Sequence, residues 1–203
     1  MNRRELVAGC LAVVATIAAR PAAPQTNGEK LEITAWAVNM SNIATGANAT
    51  VEFTIDRWST SKDRERLITT MQEQGQDALL RVLQDMPSLG RMRFPALQGR
   101  DPLNARLGWD LRYAATEPLP EGGRKIVVLT DRPIGFREAV NRPRTIDYPF
   151  TLIEMRVDRN GEGEGKMSVA TKINFDKGRK VIELENYASE PVRLQQVRVR
   201  SRT

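Results

Sequence analysis

The sequence predicts a mainly β protein: an antiparallel barrel or two-layer sandwich of about eight or nine strands with an inserted pair of short α-helices. Three observations carry that expectation. From Leu31 onward, short runs rich in β-branched and aromatic residues alternate apolar with polar between turn signals. A single segment, 59–90, breaks the alternation with helical spacing. The last third is a series of short strands and tight turns, and such a series needs a partner sheet or closure to cover its apolar face.

In chain order, "LEITAWAVNM" is the first strand and "SNIATGANA" a Gly/Asn-rich connection. "VEFTIDRWS" follows, with Val51, Phe53 and Ile55 opposed to Glu52, Thr54 and Asp56. In 59–90, Leu67, Ile68 and Met71 lie on one helical stripe, Gly75 interrupts, Leu79, Val82, Leu83 and Met86 resume, and Pro87 ends the segment. Thr60 with Asp63 three residues on is a capped start. "RLGWDLRYAA" sets Leu107, Trp109, Leu111 and Tyr113 on one face, and "EPLPEGGR" turns it into "KIVVLT" as a hairpin. The rest reads as strand "FTLIEMRV", loop "DRNGEGEG", strand "KMSVATKINF", turn "DKGR", strand "KVIELENY", turn "ASEP" and strand "VRLQQVRVR", a four-stranded meander. In the final "VRVRSR", Val197 and Val199 face inward and Arg198, Arg200 and Arg202 outward, a pattern that protects an edge strand from further pairing. Trp36, Trp58 and Trp109 all fall in strands and are expected in the core.

The N-terminal residues define an export signal. "LVAGC" imitates a lipidation site, but the apolar run continues past Cys10 through "LAVVATIAA" instead of preceding it. Arg3 and Arg4, about 14 apolar residues and the small-residue stretch "AARPAAPQ" form a cleavable secretory signal, shorter than the ~20 residues of a spanning helix. The expected organisation is a signal peptide over 1–23, cut between Ala18 and Ala23, a flexible linker over 24–30 and one β-rich domain over 31–203, with the helical insertion at about 60–87. The destination is the periplasm or the exterior, with no membrane span left after cleavage.

Cleavage removes the one cysteine, and the chain contains no histidine. The usual triad base, the commonest zinc ligand, thiol chemistry and iron–sulfur ligation are thereby excluded, and no metal or cofactor is expected. Loss of Arg3, Arg4, Arg20 and Glu5, three bases and one acid, lowers the net charge from +6 to +4. Acids and bases interleave, which argues against nucleic acid as a partner.

Four local motifs carry a structural reading beside a functional one. "STSK", Ser59 to Lys62, matches the S-x-x-K of acylating serine enzymes but lacks K-T-G and S-D-N companions. "DRNGEGEG" begins like a calcium loop with Asp158, Asn160 and Glu162, yet its twelfth position is Val169 where a glutamate is required. Asp110, Asp131, Asp147 and Glu154 are the acids closest to the aromatic strands, the material for a two-carboxylate hydrolase. The segment "TDRPIGFREAVNRPRTIDYPF" concentrates Arg132, Arg137, Arg142 and Arg144 beside Phe136 and Tyr148. Guanidinium groups next to aromatics suit an anionic or carbohydrate ligand, and Arg132, Arg137, Arg144 and Tyr148 are the candidate binding residues.

The stretches "DYPFTLIEMRVDRNGEGEGKMSVATKI" and "IELENYASEPVRLQQVRV", with "VNMSNI" and "DRWST" earlier, resemble exported bacterial proteins of unassigned function. The resemblance spans most of the chain after the signal and implies export. The expected function is a non-catalytic exported binding or interaction module; the alternative is a small carboxylate-based hydrolase of cell-wall or extracellular carbohydrate.

Overall fold

The computed structural model describes residues 28–40, 46–95, 108–132, 134, 150–169, 173–176, 181–184 and 192–202. They form ten strands and two helices: β1 (Lys30–Asn39), β2 (Asn48–Ile55), α1 (Ser61–Gln74), α2 (Gln76–Asp85), β3 (Gly90–Arg93), β4 (Trp109–Pro118), β5 (Arg124–Thr130), β6 (Thr151–Val157), β7 (Glu162–Val169), β8 (Ile173–Asp176), β9 (Val181–Leu184) and β10 (Val192–Arg202). Eight strands close an antiparallel barrel in the order β1-β10-β7-β6-β5-β4-β3-β2, while β8 and β9 pair only with each other.

Alternation explains the inner wall. Leu31, Ile33, Ala35 and Ala37 of β1 and Val51, Phe53 and Ile55 of β2 all point inward and are buried. They join Met92, Leu111, Ile126, Val128, Ile153, Met155, Met167, Leu194 and Val197 in one apolar cluster that fills the barrel. The strands are staggered: Leu31 pairs with Ile55, Ile55 with Gly90, Gly90 with Leu111 and Leu111 with Thr130, so the start of β1 and the end of β5 share one row. Gly90 and Gly163 permit the tight coiling. A Cβ on either would lie 1.9 Å from a carbonyl oxygen of the neighbouring strand, Thr54 and Arg156 respectively.

The helical pair forms as expected. Thr60 caps α1 in a reciprocal box with Asp63, and Gly75 separates α1 from α2. Both helices pack on the outside of the barrel, where Leu67, Leu79, Leu83 and Met86 bury against Tyr113, Ala115, Leu129 and Phe150. Each fully buried leucine there contributes roughly 1.5–3 kcal/mol. Tyr113 does not share the inward face of Leu111 as its spacing suggests. The β4–β5 register shifts between Leu111 and Tyr113, and this bulge turns Tyr113 outward beneath the helices. Its phenol is raised above the usual range by desolvation, with the Arg64 cation opposing.

Segment 56–60, leading into α1, closes a gap in the wall. β4 continues past the end of its pairing with β3, and Ser59 covers it: its N–H donates to the Ala114 carbonyl (2.9 Å) and its Oγ accepts from the Ala114 N–H (3.0 Å). Trp58 packs into the barrel cluster beside it and donates to the Glu29 carbonyl at 2.8 Å. The Glu29 carboxylate in turn accepts from Arg124 (2.7 Å) and Ser201 (3.0 Å), tying the start of β1 to β5 and β10.

Three further expectations need correction. The last four strands are not one meander: β10 pairs directly with β7, and β8–β9 is a separate hairpin joining Asp176 to Val181. β10 is not an edge along most of its length, since β7 bonds it as far as Arg198 and β1 bonds its other side; of the outward arginines, Arg198 lies where both neighbours pair, and Arg200 and Arg202 on the end that pairs with β1. Trp36 is not in the core. It lies on the outer face of β1, 41% exposed, whereas Trp58 is buried and Trp109 packs half-buried against Phe94 in an edge-to-face pair.

Candidate functional site

Antiparallel order throughout the barrel places successive connections at alternate ends. The helical insertion and the turns at 119–123 and 158–161 share one end. Connections 40–47, 94–108, 131–150 and 170–191 leave the other, so the arginine-rich segment emerges at the end that carries most of the connecting chain.

The root of that segment is fixed by buried polar groups at the ends of β5 and β6. Thr151 Oγ1 accepts from the Ile134 N–H at 2.6 Å, the Thr151 N–H donates to Thr130 Oγ1 at 3.1 Å, and Thr130 Oγ1 donates to the Arg132 carbonyl at 2.7 Å. Ile134 drops into the barrel cluster, fully buried. Beside it, Arg112 is a hub: its guanidinium donates to the Asp131 carboxylate at 2.9 Å and to the Met86 carbonyl at 2.8 Å and pairs with Asp110 at 3.4 Å. Arg91 lies 3.8 Å from the other oxygen of Asp110, which also accepts from Ser88 at 2.9 Å. Arg132 approaches Asp131 at 3.4 Å with its side chain 61% exposed. Of the four candidate binding residues, the structure therefore places Arg132 at the rim, backbone pinned and guanidinium in solvent; Arg137, Arg144 and Tyr148 lie outside the described residues, as do Arg142 and Asp147.

The three candidate acids among the described residues are engaged. Asp110 and Asp131 flank one cation, Arg112, and Glu154 pairs with Arg156 at 3.2 Å on the outside of β6. Carboxylates held this way fix the wall between β3, β4 and β5. Ser59 of the S-x-x-K match is buried on the Ala114 backbone. The calcium-like loop is shorter than its sequence suggests, because Glu162 to Val169 are strand β7. Asp158 accepts the Asn160 N–H at 2.8 Å and the Glu162 N–H at 3.0 Å, bonds that hold its carboxyl below the usual range, the Glu162 amide contributing most. Among the described residues, no group of three or more acidic residues is placed to hold a metal ion.

At the turn-bearing end, a groove of about 410 Å³ runs between the β4–β5 and β6–β7 turns, lined by Leu119, Glu121, Gly122, Arg156, Asp158 and Arg159. Asp158 is spent on the backbone amides of the β6–β7 turn and Arg156 on Glu154 along β6, so two of the groove's charges are already engaged.

Sequence reasoning passed over the exposed side of β1. Leu31, Ile33, Ala35 and Ala37 occupy one parity and Trp36 the other, so the period-2 rule applied before residue type would have placed the indole outside. Comparison with protein-family models, curated proteins and solved structures finds no match to the chain.

Proposed function

We propose that the protein is an exported, non-catalytic binding module that meets its ligand on the outside of a filled barrel. What supports this reading is the interior: the inward side chains of the barrel strands pack into one apolar cluster, which leaves surfaces and connections to do the recognising. Export rests on the pattern of residues 1–23. The rim at Arg132 is the first candidate surface, with an anionic or carbohydrate ligand. Pairing of Asp110 and Asp131 with one arginine speaks against the hydrolase alternative, which needs one carboxyl free to give a proton and another to act as base or nucleophile.

The test joins two assays on the chain without its signal. Retention on immobilised alginate at low and moderate salt is compared between wild type and the triple variant Arg132→Gln, Arg137→Gln, Arg144→Gln, and release of reducing ends from cell-wall polysaccharide is followed in parallel. Salt-sensitive retention lost in the variant, without release of reducing ends, supports the rim. Unchanged retention with a lowered melting temperature makes the segment a structural one, and protein-dependent release of reducing ends restores the hydrolase.

A further inference from the structure

We propose that the outer face of the barrel around Trp36 is a stacking platform for a neutral glycan. This goes beyond the arginine rim: it concerns a different surface and an uncharged ligand, and it holds or fails independently of Arg132.

A single exposed tryptophan is ordinary, and the case rests on its neighbours. Across the sheet, Trp36 faces Gln195 of β10 on one side and Thr50 of β2 on the other. Directly opposite partners on one face stand within about 5 Å, Cβ to Cβ. β10 bulges here, its register shifting against both β1 and β7, and the bulge turns Gln195 and Gln196 outward in succession. Gln196 adopts φ 51°, the left-handed region, and it is the one non-glycine residue to do so among the described residues. A glycine would occupy that conformation without steric cost, yet the position carries a long amide. Bulges commonly re-aim side chains toward a function.

The residues directly opposite the indole, Gln195 and Thr50, and those beside it on β1, Thr34 and Val38, are uncharged. The side chains of Thr34, Thr50, Gln195 and Gln196 make no hydrogen bond among the described residues and offer free donors and acceptors. The surrounding ions are already paired: Arg193 with Glu164 at 3.2 Å, Arg198 with Glu162 at 3.8 Å and Arg93 with Glu52 at 2.6 Å. An indole face ringed by unspent amides and hydroxyls complements a pyranose, whose C–H face stacks on the ring while its hydroxyls bond the amides. A second copy of the chain fits less well. The apolar stripe of Trp36, Val38 and Met40 is one strand wide, whereas a standard interface buries roughly 800 Å² on each partner.

Native affinity electrophoresis tests the platform, using gels containing hydroxyethylcellulose, dextran or no polymer. Wild type is retarded by at least one neutral polymer, equally at low and moderate salt. Trp36→Ala weakens that retardation by at least about tenfold, Trp36→Tyr restores part of it, and Gln196→Gly weakens it while keeping the fold. The triple arginine variant is retarded like wild type. Melting curves confirm that the Trp36 and Gln196 variants are folded, as expected for exposed positions. The proposal is overturned if neither polymer retards wild type, if Trp36→Ala is retarded equally, or if sedimentation shows a wild-type dimer that Trp36→Ala dissociates, which makes the stripe a self-association surface.

Discussion

Replacing Phe53 with alanine measures how completely the barrel is filled. Phe53 is fully buried on β2, between its cross-strand partners Ile33 of β1 and Met92 of β3. Truncation removes a ring and leaves about 100 Å³ unfilled, which at ~24 cal/mol per Å³ contributes about 2.4 kcal/mol. Lost transfer free energy adds about 2 kcal/mol, so the total falls near 4 kcal/mol, within the ~3–5 kcal/mol range for buried Phe→Ala changes. The readout is the urea midpoint at constant slope, and in heat a melting temperature lowered by roughly 8–16 °C at ~2–4 °C per kcal/mol. A loss below about 1 kcal/mol would mean that the site is already loosely packed or hydrated, and a filled interior would have to be abandoned.

The other predictions concern the ties around that core. Arg112→Ala leaves the Asp131 carboxylate, only 7% exposed, without its closest cation and should cost about 3 kcal/mol in urea unfolding, far more than Arg132→Ala at the rim. Thr60→Ala removes the reciprocal cap of α1 and should cost about 1 kcal/mol, read from the same midpoint. The lowered Asp158 carboxyl binds its proton more weakly in the folded chain than in the unfolded one, so its stabilisation is complete above the unfolded value and disappears as pH falls through the folded one. Asp158→Ala should therefore be less stable than wild type at neutral pH, with the difference vanishing in acid below the carboxylate range. Protein exported from a bacterial host should begin between Ala19 and Pro24 and lack Cys10, which N-terminal sequencing and intact mass decide.

Features governed by local rules were legible in the sequence. The alternation of Val51, Phe53 and Ile55 fixes the face of β2, and Thr60, Asp63 and Gly75 delimit the helices through capping and backbone freedom. Features governed by register were not. The extra residue at Arg112 turns Tyr113 from the barrel interior to the helix interface, and no composition signal marks it. The direct β7–β10 pairing, which leaves β8–β9 aside, depends on long-range closure of the barrel. Trp36 was readable from parity but masked by the habit of assigning aromatics to cores. As for the candidate site, the sequence singled out an arginine-rich connection, and the structure supplies its anchor: Asp131, Thr151 and Ile134 hold Arg132 in place while the guanidinium stays in solvent. The pairing of Asp110 and Asp131 through Arg112 is a cross-strand contact that spacing along the chain does not reveal.

The decisive measurement is an amide and methyl chemical-shift titration of isotope-labelled residues 24–203, using a soluble cello-oligosaccharide. Recognition on the outside of a filled barrel predicts shifts confined to exposed positions, around Trp36, Thr50 and Gln195–Gln196 for the stacking platform or around Arg132 for the rim, with the inward-facing Phe53, Ile153 and Met155 unmoved. Shifts centred on those interior residues would contradict it, because they would place the ligand inside the barrel.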